Sequence, residues 1–206
     1  GEGPNGRKQE YDWPLFNNTV AQLNPNAVIF SDVGPGCRWV GNERGYADET
    51  NWSTITIANG ARSTDKAPCG MQNGAAWIPA EVDVSIRPGW FWHANEHPKS
   101  VEELMEIYFN SVGRNGLLLL NVPPDARGLI PAEDSLRLVE FRAERDRIFA
   151  HDLAQYANVR AAHLRGKRYS AHQLLDTAYH TYWASNGDGN DTIYLDFEQS
   201  VKFDLL

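Results

Sequence analysis

Hydrophobic positions repeat at two different periods along this chain, and the switches between them mark out its elements. Phe16, Val20 and Leu23 fall at i, i+4 and i+7, and Pro14 suits a first helical turn, so residues 14–23 predict a helix closed by Asn24-Pro25-Asn26. Ala27-Val28-Ile29-Phe30-Ser31 is a short, nearly continuous apolar run, the pattern of a strand covered on both faces in a parallel sheet. From Glu81 to Arg87 the period becomes two. Val82, Val84 and Ile86 fall on one side and Asp83, Ser85 and Arg87 on the other, which predicts a strand with a polar face turned toward a site. Ser100 followed by Glu103 reads as a capping box, Leu104, Ile107, Tyr108 and Val112 as the apolar stripe of its helix, and Gly113 as the helix-ending residue. Leu117 to Asn121 reads as a second buried strand closed by Pro123-Pro124, and a charged helix is expected over 133–149.

The order strand, long loop, strand, helix, strand, helix points to an α/β fold with β/α units around a parallel sheet. The stretch from Asp32 to Ala80 shows no clear periodicity, and so long a segment inside a compact fold is usually functional. Polar and aromatic residues gather just after predicted strands, where an α/β barrel places its site. After about residue 155 the composition changes to short segments rich in Tyr, Thr and Val, separated by turns such as Asn186-Gly187-Asp188-Gly189. Residues 1–154 are therefore read as one α/β domain and 155–206 as an incomplete all-β domain.

Charge and composition remove several classes of partner. The 206 residues carry a formal charge of −8 with no cluster of lysines or arginines, which argues against nucleic acid and anionic lipid. No apolar run approaches the ~20 residues needed to span a bilayer. Cys37 and Cys69 are too few for a disulfide scaffold and have no metal-ligand spacing around them, so they read as unbridged thiols. The chain opens on Gly1-Glu2-Gly3-Pro4-Asn5-Gly6 without a methionine and stops at Phe203-Asp204-Leu205-Leu206, so both ends read as cut.

The run Gly36-Cys37-Arg38-Trp39-Val40-Gly41-Asn42-Glu43-Arg44-Gly45 carries the most chemistry. A carboxyl group set among glycines and a tryptophan suits the proton donor of glycosidic cleavage, a reaction that normally employs two flanking carboxylates. Spacing alone leaves open that Glu43 is a loop residue paired with Arg44. Arg38 has the planar fork to bind a carboxylate or sugar hydroxyls, or is a surface arginine. Trp39, Trp90 and Trp92 suit stacking on a pyranose, or a core. Arg87 is read as ordering its loop by pairing with Asp83 or Glu81. Asp32 is the internal residue best placed as a second carboxylate. His93, Glu96 and His97 lack a defined third ligand and read as hydrogen-bonding groups, and Asn186, Asp188 and Asn190 fail the calcium-loop pattern because Asp191 and Phe197 occupy its glycine and glutamate positions.

Four segments together resemble the α-L-fucosidases of glycoside hydrolase family 29: Ile29-Phe30-Ser31-Asp32; Arg38 to Glu43; Pro79 to Phe91, containing Arg87-Pro88-Gly89-Trp90-Phe91; and Asn115 to Asp125, containing Asn121-Val122-Pro123-Pro124. The resemblance runs from Gly1 to about Phe149. The Gly-Asn-Glu and Arg-Pro-Gly-Trp-Phe segments are similar to those of the subgroup acting on α-1,3- and α-1,4-linked fucose. It implies a retaining mechanism on a (β/α)8-like TIM barrel followed by a β-sandwich, with no metal or organic cofactor. By that resemblance residues 1–154 are the C-terminal part of the barrel, Glu43 is the acid/base, and Arg38, Trp39, Trp90 and Trp92 bind a fucosylated oligosaccharide. The expected compartment is secreted or periplasmic. The family's nucleophile is the aspartate of a Trp-Phe-Asp-Gly segment, which this sequence does not contain. The chain by itself is therefore expected to be inactive, and a non-catalytic carbohydrate-binding protein is the alternative.

Overall fold

In the computed structural model the described residues are 4–31, 35–56, 69–187, 189 and 191–203. Asp32, Asp188 and Asn190 lie outside them. The chain divides into two compact units, residues 1–145 and 146–206, with the break in the last turn of a long helix and ahead of the break expected after 154.

The first unit opens with α1 (Trp13–Leu23), which carries Pro14 in its first turn and is capped by the Asp12 side chain accepting from the Leu15 N–H. Strands β1 (Phe30–Ser31) and β2 (Cys37–Trp39) follow, then a small antiparallel pair, β3 (Thr54–Ile55) with β4 (Ala76–Trp77). Next come β5 (Ala80–Ser85), α2 (Val101–Ser111), β6 (Gly116–Asn121) and α3 (Ala132–Ile148). The central sheet has the order β1-β2-β5-β6, every pair parallel, and the register sets Trp39 beside Glu81 and Ser85 beside Asn121.

The two faces of this sheet differ. Val84 of β5, with Leu118 and Leu120 of β6, turns toward α2 and α3 and meets Leu104, Ile107, Leu138 and Phe141, while Val82 on the same face packs with Val40, Ala47 and Ala80. Alternation then sends Cys37, Trp39, Glu81, Asp83, Ser85 and Asn121 to the other face. The polar face anticipated from the sequence exists, but Glu81 and Ser85 on it are buried rather than open.

The ends of α2 follow from local chemistry. The Ser100 side chain accepts from the Glu103 N–H while Glu103 accepts from the Ser100 N–H, completing the expected capping box. At the other end the left-handed residue is Asn115 (φ 60), not Gly113, because the helix continues into a 3-10 turn, Val112–Arg114, that delays the reversal. Asn115 also exchanges side-chain hydrogen bonds with Asn51 and Ser53, which fixes that conformation.

Other expectations are corrected. Neither β1 nor β6 is covered on both faces: Phe30, Leu117 and Leu119 are exposed. On the apolar stripe of α1, Phe16 and Leu23 are exposed as well and Val20 is half-buried. β2 lies inside the stretch read as aperiodic; three residues are too few to show a period.

The second unit contains the antiparallel ribbon β7 (Asn158–Ala161) with β8 (Ile193–Asp196), joined by a segment that includes the 3-10 turns Lys167–Tyr169 and Ala171–Leu174. Arg160 lies 3.8 Å above the Tyr194 ring and contacts Asp196 at 3.2 Å, so a cross-strand cation–π contact and an ion pair hold the register. Among the described residues no helix is long and apolar enough to cross a membrane.

Candidate active site

The C-terminal ends of β2, β5 and β6 meet at one rim, and the residues singled out in the sequence divide according to whether they reach it. Glu43 stands in the loop after β2. Gly41 (φ 92) and Gly45 (φ 84) bracket it in the left-handed region, and a Cβ on Gly45 would lie 2.9 Å from Ile107 and 3.1 Å from Val84. Glycine at 45 thus lets the loop descend onto the core immediately after the carboxylate. Asn42 steadies the turn by accepting from the Arg44 N–H and donating to the Tyr46 carbonyl, and the Tyr46 hydroxyl donates to Glu106 at 2.7 Å.

Glu43 is exposed, and its Oε2 accepts the indole N–H of Trp90 at 2.8 Å. The partner is a neutral donor from the turn after β5, not the neighbouring Arg44. Trp39, on the site-facing side of β2, donates its indole N–H to Asp83 Oδ1, also at 2.8 Å. Two tryptophan–carboxylate pairs therefore stand at the ends of adjacent strands. Burial pushes the Asp83 carboxyl above the usual carboxylate range; the Trp39 N–H works against that rise, and the negative charge of Glu43 adds to it. Trp92 is half-buried on the same turn as Trp90.

Arg38 does not join this group. Adjacent strand residues point to opposite faces, so Arg38 is directed away from the side that Trp39 occupies. Its side chain is fully buried and donates to Asn51 Oδ1 at 3.0 Å and to the Trp52 carbonyl at 2.7 Å. Asn51 in turn donates to the carbonyls of Arg114 and Asn115, just ahead of β6 and at the opposite rim. Arg38 is thus buried rather than at the surface, and it braces the 51–52 segment.

Arg87 keeps the structural role expected of it but has a different partner. Its Nε and one terminal nitrogen bind Asp134 of α3 at 2.9 and 2.7 Å, with both side chains buried, and it also donates to the Glu96 carbonyl. Asp83 is held by Trp39 and Glu81 by the Cys37 thiol, which donates at 3.1 Å. That thiol is pushed up to about 12 by burial first, then by the hydrogen bond and charge of Glu81. His97 hydrogen-bonds Glu133 at 3.0 Å, and among the described residues no cluster of metal-ligating side chains occurs.

Two residues of the rim were not identified from the sequence. Asp83 was visible only as one of three polar alternates on β5. Asn121 donates from its side-chain amide to Ser85 Oγ at 3.0 Å and to the Trp90 carbonyl at 3.1 Å; the sequence signal was its place at the end of a leucine run before two prolines.

The family model described as Alpha-L-fucosidase matches residues 13–142, which include every residue of this rim. The chain belongs to the α-L-fucosidase family. Alpha-L-fucosidase 1 of Arabidopsis thaliana is 42% identical over 213 residues, covering 100% of this chain and 42% of that protein. Among solved structures, SpGH29 is 37% identical with a TM-score of 0.83, covering 95% of this chain and 44% of its own. The Ruminococcus gnavus GH29 fucosidase in complex with fucose is 31% identical with a TM-score of 0.80, covering 95% of this chain and 43% of its own. The fucosidase family of this chain is therefore glycoside hydrolase family 29. The chain spans less than half the length of these relatives.

Proposed function

We propose that this chain supplies the acid/base half of a retaining exo-α-L-fucosidase that releases terminal α-1,3- or α-1,4-linked L-fucose. The observation that carries the reading is Glu43: an exposed carboxylate in the loop that follows a strand's C-terminal end, with one oxygen oriented by an indole N–H. A carboxyl group there can transfer a proton to the glycosidic oxygen as the bond to the anomeric carbon breaks, while an aspartate takes that carbon. Glu43, now a carboxylate, then removes a proton from water, which attacks the fucosyl–aspartyl ester and returns the aspartate. On this reading the four parallel strands belong to a (β/α)8-like barrel, the second unit to a β-sandwich, and the nucleophile to a segment homologous to the relatives' remaining length.

Trp39 and Trp90 offer ring faces to a sugar at the rim. Asp83 fixes the first and Glu43 the second by their indole nitrogens, so that the rings keep a defined orientation. Arg38 acts at a distance as a brace.

The test is replacement of Glu43 by Gln in the full-length protein, assayed on a fucosylated trisaccharide. Loss of an acid/base lowers turnover by roughly 10²–10⁴-fold; near-normal release of fucose refutes the assignment. The 206-residue chain assayed alone is expected to release no fucose, because retention requires two carboxylates roughly 5–5.5 Å apart. Measurable turnover by the purified chain would instead locate both carboxylates within it and make Asp32 and Asp83 the next residues to replace.

A further inference from the structure

We infer that Asn121 is a positioning residue for Glu43 and acts through Trp90, an inference that rests on the acid/base reading of Glu43. Asn121 is the last residue of β6 and the register partner of Ser85. Its amide nitrogen has two hydrogens, and both have recipients: Ser85 Oγ at 3.0 Å and the Trp90 carbonyl at 3.1 Å. Its own backbone carbonyl accepts the Ile86 N–H at 2.9 Å. One residue thus grips the end of β5 at two points and the following turn at a third.

The turn it holds is otherwise tied mainly at its beginning. Lys99 Nζ donates to the carbonyls of Ser85 and Arg87, and Arg87 is clasped by Asp134. Beyond that, Pro88-Gly89 leads out toward solvent: nothing lies within 4 Å of a Cβ placed on Gly89, and Trp90 is 37% exposed. Among the described residues, it is the Asn121 amide that ties the Trp90 backbone to the sheet. The Trp90 indole then fixes Glu43 Oε2 at 2.8 Å. The sequence of contacts runs Asn121, Trp90, Glu43, across the ends of β6, β5 and β2, and Asn121 does not touch the carboxylate itself.

The residue type follows from the task. Two hydrogens must diverge from one short planar group. Aspartate has no donor, serine has one, and glutamine places its amide a methylene farther out. Asn121→Asp is nearly isosteric and reverses polarity where it matters. The Ser85 hydroxyl can turn to donate to the new carboxylate, whereas the Trp90 carbonyl has no hydrogen to offer and is repelled.

The experiment is a double-mutant cycle in the full-length protein with a fucosylated trisaccharide as substrate. Asn121→Asp is expected to lower kcat roughly 10-fold with little change in KM, the size of a lost hydrogen bond felt in the transition state. In a Glu43→Gln background the same change is expected to add almost nothing, because the group it positions has already lost its function. If the two losses multiply in full, or if Asn121→Asp leaves kcat unchanged, the inference is overturned while the reading of Glu43 stands. If Glu43→Gln alone has no effect, the reading of Glu43 fails first. Trp90→Phe breaks the same link at its other end without touching Asn121. Should Asn121→Asp fail to fold, the same cycle run with Asn121→Ser, which keeps only one of the two donors, decides by the same criterion.

Discussion

Two carboxylates near the end of β5 lead opposite lives. Asp134 is fully buried and meets the Arg87 guanidinium through two hydrogen bonds, so its charge is matched and sealed. Glu43 is exposed and accepts a neutral indole N–H, and among the described residues no ion pair matches its charge. A carboxylate in the first setting holds the fold together and is closed off from water and substrate. One in the second is oriented yet still available to water and substrate. The difference shows that the type of partner and the degree of burial separate structural from chemical carboxylates where residue identity does not.

Removing Asp134 should break the comparison most severely. Asp134→Ala leaves a buried guanidinium without its carboxylate, and the chain is expected to lose about 3–5 kcal/mol of stability in urea unfolding. A loss under about 1 kcal/mol would mean that water or Glu133 replaces the partner, since a typical exposed pair is worth no more than that. Glu43→Gln, by contrast, should leave unfolding within about 0.5 kcal/mol of the parent, as expected for an exposed position.

A third carboxylate sharpens the contrast. Glu81 is buried like Asp134, but its recorded donor is a thiol rather than a cation. The Cys37 thiol is raised from 9.0 to about 12 in the folded chain, so the unfolded chain gives up its proton first. Its contribution to stability is then complete below pH 9.0 and is lost as pH rises toward 12. Stability should fall across that interval, and Cys37→Ala should fall less steeply when both are unfolded in urea at pH 8 and at pH 10.5. Identical slopes would show that the thiol does not carry this linkage. At neutral pH the linkage contributes no pH dependence, which makes it the smallest of these effects.

What the sequence made legible was local. The Ser100–Glu103 box, the two-residue alternation of β5 and the Pro14 start of α1 depend on neighbours a few residues apart, and each appears where expected. Pairings across the fold were not legible. Arg87 is 47 residues from Asp134, and Trp90 the same distance from Glu43; such contacts are set by strand order, which no local period encodes. The burial of Arg38 illustrates the cost of missing a strand: once Cys37–Trp39 is known to be one, Arg38 and Trp39 must point to opposite faces. The rim itself was partly legible, because Glu43, Trp39, Trp90 and Trp92 all sit just past predicted strands or turns. Asp83 and Asn121 became significant only through their partners.

The most direct test of the central claim joins the two properties that distinguish Glu43 from Asp134. Full-length Glu43→Gln should keep the unfolding midpoint of the parent while its kcat/KM on a fucosylated trisaccharide falls by roughly 10²–10⁴-fold. An unchanged midpoint with near-normal fucose release would contradict the account. So would a loss of activity that only tracks a loss of folded protein.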